Sequence, residues 1–281
     1  MFLSNKMELW FILLIVTSSI LVLYLIFVIK NNYTINENLA RNIADNPQSN
    51  GSKHIPKNIY QLVADKNNIN PSFVKNIKYI KKLNPTWNHI LYDDADMIEY
   101  IKKYYPDFLD IYNKINPKYG AAKADFFRYI LMYREGGVYL DIKSAMKVPL
   151  DQILKPDDEY LLVHWECPCQ STYLDNEQGE YQQWHIICKP RHPYLKQVIT
   201  DVIHNIENYD IKRDGTGKQS VLNITGPISY TKSIESIRMN HNHQLYETNT
   251  YIGLIYNNLS QSHKGLFSKA HYSKVEEAVI L

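Results

Sequence analysis

Neither sign of charge dominates this chain. Lys and Arg number 31 against 29 Asp and Glu, a formal net charge of +2, and the basic residues are scattered among Asn, Tyr and Ile. A nucleic-acid binder gathers such residues into a stripe, so no nucleic-acid partner is expected. There is no internal repeat, which excludes solenoids and propellers. Cysteine is scarce and odd in number: Cys167, Cys169 and Cys188. The first two stand too close together for an ordinary bridge, although Cys188 could pair with either in an oxidising compartment, and no fourth ligand stands at zinc-finger spacing.

Leu9 to Ile29, by contrast, holds no charged residue. Roughly 20 apolar residues at about 1.5 Å rise span about 30 Å, one hydrocarbon core. A cleavable leader would have a shorter apolar core and a small-residue cleavage site, and neither is present. The expectation is therefore a tip and signal anchor over residues 1–30, a polar stem over 31–53, and a catalytic-sized domain over 54–281. Lys6 and Glu8 precede the span and Lys30 follows it, so the positive-inside bias is nearly silent. The bulk of the chain after the span suggests a type II, lumenal arrangement in a Golgi- or ER-like compartment. Asn-x-Ser/Thr triplets at Asn32, Asn50, Asn223 and Asn258 suit a lumen, though an Asn-rich chain also produces them by chance.

From Ile55 the pattern alternates. Lys57–Val63 reads as a strand, Pro71 opens an amphipathic helix, Trp87–Tyr92 is a second strand, and Asp93 and Asp94 can cap the helix that follows. Ala121–Glu135 is the strongest helix signal, stopped by Gly136-Gly137, and Val138–Ile142 is a buried strand. Tyr160–Trp165 and Gln182–Cys188 read as further strands, with helices opening at Pro193 and at Thr225-Gly226-Pro227. This order predicts an α/β, Rossmann-like domain with a mostly parallel central sheet, whose ligands bind beyond the carboxyl ends of the strands. Asp141 lies at such an end. Asp125 and Arg128, three apart, share one helix face; they form either a structural ion pair or a carboxylate and guanidinium set to meet sugar hydroxyls and phosphate.

IPKNIYQ, NPTWNHILYDD, AAKADFFRYILMYREGGVYLDI and TGP stand here in the order seen in glycosyltransferase family 32. The chain resembles the DXD-containing sugar transferases related to the fungal initiating α-1,6-mannosyltransferases, and the sugar-binding region of clostridial glucosylating toxins. The resemblance implies a GT-A fold and a retaining hexosyltransferase that uses a UDP- or GDP-hexose donor and a glycan, glycoprotein or glycolipid acceptor. It places Gln61, Asp125, Arg128, Gly137, Asp141, Gly226 and Pro227 at the donor, with Asp141 as the first carboxylate of the DXD motif. Mn²⁺ or Mg²⁺ would be the usual cofactor, held through Asp141.

The match fails at one position. Lys143 stands where the second DXD carboxylate belongs. At about 4 Å and an effective dielectric near 20, a lysine and a divalent ion repel by roughly 8 kcal/mol. Either the lysine meets the departing diphosphate itself, making Lys143 catalytic beside Asp141, or it swings away while a downstream residue such as His263 or His271 completes a metal site. The alternative is a catalytically inactive sugar-nucleotide- or carbohydrate-binding protein on the same scaffold.

Overall fold

The computed structural model of the chain describes residues 16–24, 52–165, 179–248, 252–259 and 275–281. The chain divides into a unit Met1–Asp45 and a unit Asn46–Leu281. In the first, residues 16–24 are helical and exposed. Among the described residues no helix is long and apolar enough to cross a membrane; the rest of the expected span, and nearly all of the expected stem, lie outside them.

The second unit is an α/β domain. Its first half runs β1 (Asn58–Leu62), α1 (Pro71–Leu83), β2 (Asn88–Tyr92), α2 (Asp94–Tyr104), α3 (Leu109–Lys114), α4 (Gly120–Glu135) and β3 (Gly137–Leu140). Then follow β4 (Ala145–Met146), α5 (Leu150–Ile153), β5 (Tyr160–Val163), β6 (His185–Cys188), α6 (Pro193–Glu207), α7 (Ile211–Asp214), α8 (Gly217–Ile224), α9 (Pro227–Glu235), β7 (Gln244–Tyr246) and β8 (Leu254–Ile255). Six strands form one sheet in the order β2-β1-β3-β6-β5-β7, and β4 pairs with β8 in a small second sheet.

The expected parallel character holds for β2-β1-β3 and for β5-β7, but β6 runs antiparallel to both of its neighbours. The sheet is therefore mixed. Gln182 to Trp184 also lie outside regular strand; β6 starts at His185, and β3 ends at Leu140, one residue before Asp141.

Local chemistry explains the first half well. Asn70 caps α1 by accepting from the Ser72 amide, with Pro71 in the first turn and Lys81 and Lys82 in the last. Asp93 caps α2 and exchanges hydrogen bonds with Asp96 in a capping box. Strand alternation then sorts the two faces of the sheet. Ile59, Val138, Leu161 and Ile187 cluster with Ile80 of α1. On the other face Tyr92 packs against Phe127 of α4, at 5.6 Å between ring centres, and α6 packs against both α4 and α9.

Between α4 and β3 the chain must reverse in tight quarters. Gly136 has φ +62, and a Cβ there would meet the Pro190 nitrogen at 2.5 Å; Gly137 has φ +95, and its Cβ would meet the Asn58 carbonyl oxygen at 2.7 Å. Both the left-handed backbone and the lack of space demand glycine. Arg128 stands eight residues before this turn on a helix, about 12 Å at 1.5 Å per residue. Asp141 stands four residues beyond Gly137 on a strand, about 13 Å at 3.3 Å per residue. Helix and strand return side by side, so the two residues reach the same height.

Candidate functional site

The residues at that height form one buried network. Arg128 Nη2 lies 3.2 Å from Asp125 Oδ1, and Arg128 Nη1 lies 3.4 Å from Asp141 Oδ1. The same Nη1 donates to the Gln183 backbone carbonyl at 3.0 Å and to its Oε1 at 3.1 Å, while Gln183 Nε2 donates to Asp125 Oδ1 at 3.2 Å. Thr225 Oγ1 donates to the other Asp125 oxygen at 3.1 Å. The Tyr129 hydroxyl faces the Thr225 carbonyl at 2.8 Å and Gln183 Oε1 at 3.1 Å. Beneath the guanidinium lies the Tyr139 ring, 4.7 Å away, whose hydroxyl donates to Asp141 Oδ1 at 2.9 Å.

These groups differ in how far solvent reaches them. The side chains of Asp125 and Arg128 are 6% and 8% exposed, that of Asp141 21%. Asp141 is thus the carboxylate open to a ligand, and the other two form the support behind it. Asp125 and Arg128 make the ion pair that their spacing allows, and the pair also serves as the platform for Asp141.

Burial pushes the Asp125 carboxyl up to about 6, against the pull of Arg128 and the hydrogen bond from Gln183. Burial alone would lower the Arg128 guanidinium, but Tyr139, Asp141 and Asp125 beside it hold it above its ordinary value. The sign for stability follows. The folded value of Asp125 exceeds the 3.8 of an ordinary aspartate, so the fold holds this proton more tightly than the unfolded chain does. Its contribution is complete below about pH 4 and is lost as pH rises to about 6. Relative to Asp125→Asn, the parent chain is expected to lose stability across that window and to run parallel above it, as measured by thermal melts at stepped pH.

Gln61 is fully buried. Its Nε2 donates to the Asp141 carbonyl at 3.4 Å and its Oε1 faces His89 Nε2 at 2.8 Å. Burial, with help from Lys81, lowers the His89 pKa to about 4, so the ring is neutral and its Nε2 carries the proton donated to Gln61. Gln61 therefore reaches Asp141 through its backbone. Gly226 precedes α9 at a close approach, where a Cβ would meet Leu222 Cα at 2.8 Å, and Pro227 opens that helix. Their neighbour Thr225 is the member of that turn bonded to Asp125. Gly137 is not brought to the site: it lies at the opposite end of β3 from Asp141, where its lack of a side chain admits the Asn58 carbonyl.

Lys143 is half-buried, and its Nζ lies 5.8 Å from the centre of the Tyr256 ring. Tyr256, 37% exposed, packs against Trp165 at 5.0 Å and against Trp184 at 5.4 Å. Trp165 Nε1 donates to Glu180 at 3.1 Å. Trp184 and Trp87 are core residues, while Trp165 and Tyr256 form an outer aromatic wall. Cys188 is a free, buried thiol facing the Met132 carbonyl at 3.7 Å. Cys167, Cys169, His263 and His271 lie outside the described residues.

The sequence reading missed Gln183, Thr225 and Tyr256, which come from distant segments. It also missed Tyr139, for which a signal existed, because positions 139 and 141, two apart at the end of a strand, point to one side of it.

Known proteins similar to this chain share part of its sequence. Residues 70–160 match the family described as glycosyltransferase sugar-binding region containing DXD motif. Over 206 residues the chain is 29% identical to an initiation-specific alpha-1,6-mannosyltransferase of Candida albicans, covering 65% of this chain and 53% of that protein. Over 161 residues it is 31% identical to inositol phosphoceramide mannosyltransferase 3 of Schizosaccharomyces pombe, covering 57% of this chain and 41% of that one. The chain thus spans about half the length of these relatives. Among solved structures it is similar to the PaToxG glycosyltransferase, at 17% identity and TM-score 0.45, over 74% of this chain and 77% of that one. The site described above draws Asp125, Arg128, Tyr139 and Asp141 from residues 70–160, the segment that matches the DXD-containing sugar-binding region of glycosyltransferases.

Proposed function

We propose that this chain is a glycosyltransferase that moves a hexose, mannose in the first instance, from a nucleotide sugar to a glycan or an inositol-phosphoceramide-type glycolipid. The observation that carries the reading is the clamp of Arg128 between Asp125 and Asp141, at the carboxyl ends of β1 and β3 and inside the segment that matches the family. Mannose comes from the names of both relatives, and the inositol phosphoceramide acceptor from the name of one of them. A signal anchor at Leu9–Ile29 that holds the domain in a lumen, and retention of configuration at the transferred sugar, belong to the same proposal.

Each residue then has a chemical task. Asp141 accepts from hydroxyl groups of the donor, and its carboxylate is oriented by Tyr139 and Arg128. The wall of Trp165 and Tyr256 offers ring faces to the carbohydrate of the acceptor. In transfer, the bond between the anomeric carbon and the diphosphate oxygen breaks and its electron pair leaves on the diphosphate. The acceptor oxygen bonds to that carbon, and its proton passes to the departing phosphate.

The test is release of nucleoside diphosphate by the purified full-length chain, offered GDP-mannose and UDP-glucose with and without a mannoside or inositol phosphoceramide acceptor. Acceptor-dependent release, with the sugar recovered on the acceptor, is the expected result. Saturable donor binding with no release under any of these conditions would replace the transferase by a sugar-nucleotide-binding protein.

A further inference from the structure

We infer that the diphosphate of the donor is held in this protein by Lys143, in place of the divalent ion that the DXD family implies. The inference rests on the proposed use of a nucleotide sugar and concerns how that same site manages charge.

Among the described residues the donor set does not fit a divalent ion. Magnesium and manganese take several hard oxygens in an octahedral arrangement. Here Asp141 is the one solvent-reached carboxylate of the network, and its Oδ1 already accepts from Tyr139 and faces Arg128. Both oxygens of Asp125 are taken, by Arg128 and Gln183 on one side and by Thr225 on the other. Among the described residues no group of three or more His, Cys, Asp or Glu is arranged to hold a metal ion. An ion at Asp141 would meet the Arg128 guanidinium, 3.4 Å from Oδ1, with the positively charged Lys143 two residues further along the chain.

The lysine is also fixed at its base. The Ser144 amide donates to the Asp141 carbonyl at 2.9 Å, closing the turn, and the Leu259 amide donates to the Lys143 carbonyl at 3.0 Å. From the side, Asn76 Nδ2 donates to the Ser144 carbonyl at 2.7 Å. Ser144 itself is completely buried. With the backbone pinned on three sides, residue 143 stays beside Asp141 and its flexible stem alone moves.

The charges balance. A second carboxylate and a divalent ion would together present −1 and +2 to the diphosphate, a sum of +1. Lys143 presents +1 on its own. The exchange leaves the local field that the diphosphate meets unchanged in net charge, and a lysine placed this way can stabilise the charge that develops on the leaving group.

The experiment measures binding of GDP and of UDP to the full-length chain, in chelator and in manganese, for the parent and for Lys143→Ala, Lys143→Arg and Lys143→Asp. For whichever nucleotide binds, the parent affinity is expected to agree within about twofold between the two buffers. Lys143→Ala should weaken binding at least about tenfold in both, and Lys143→Arg should keep most of it. Lys143→Asp should bind poorly in chelator and recover at least about tenfold with manganese, because it rebuilds the ion's ligand. Unchanged melting temperatures of the variants separate these effects from misfolding. Parent binding that vanishes in chelator, or an alanine variant that binds like the parent, overturns the inference and leaves the nucleotide-sugar reading standing. Failure of both nucleotides to bind in both buffers overturns that reading and the inference with it.

Discussion

Arg128→Met is expected to lower stability by about 3–5 kcal/mol and to abolish nucleotide binding. The guanidinium is the common partner of Asp125, Asp141 and Gln183, and removing it leaves two carboxylates facing each other in a nearly dry site. Breaking a buried charge network by deleting one partner costs about this much, because the remaining charges stay uncompensated. For a domain of this size the shift in melting temperature is about 6–20 °C. Methionine keeps much of the stem that covers Tyr139, so the loss reports charge more than volume. A melt within about 2 °C of the parent would show that the network contributes little to the fold.

Asp141→Asn should have the opposite profile. The side chain is partly open, and asparagine keeps its shape and one carbonyl oxygen for Tyr139. Stability should change by less than about 1 kcal/mol, within the range of a single hydrogen bond. Turnover, by contrast, should fall about 10²–10³-fold, the usual effect of removing one preorganised electrostatic group from a reacting centre. A variant that turns over within threefold of the parent would remove Asp141 from the proposed chemistry. The paired measurement matters: Arg128 is expected to show itself in the melt, Asp141 in the rate.

The parts of this protein legible in its sequence are those whose cause is local. Gly136-Gly137 announces a left-handed reversal, Asp93 and Asp96 announce a capped helix start, and the three-residue spacing of Asp125 and Arg128 announces a shared face. The remainder is written at long range. Gln183 and Thr225 reach Asp125 from segments 58 and 100 residues away, and no periodicity near either residue encodes that meeting. The antiparallel β6 was equally hidden, because a short apolar strand reads the same in both directions. Tyr256 lies in a stretch with no regular pattern and gains its place through β8 pairing with β4 and through its packing on Trp165 and Trp184.

That last pairing bears on when the protein becomes competent. The turn at Lys143 is fastened by the amide of Leu259, and Lys147 donates to the carbonyl of Gly253. Over a hundred residues separate these partners, so the turn stays unfastened while the ribosome is still building the latter part of the chain. Contacts so far apart in sequence also close slowly. A nascent chain that has completed β1 to β3 therefore already owns its carboxylates and guanidinium, yet does not have the lysine in position. Synthesis itself therefore delays the fastening of this turn until the latter part of the domain has been made.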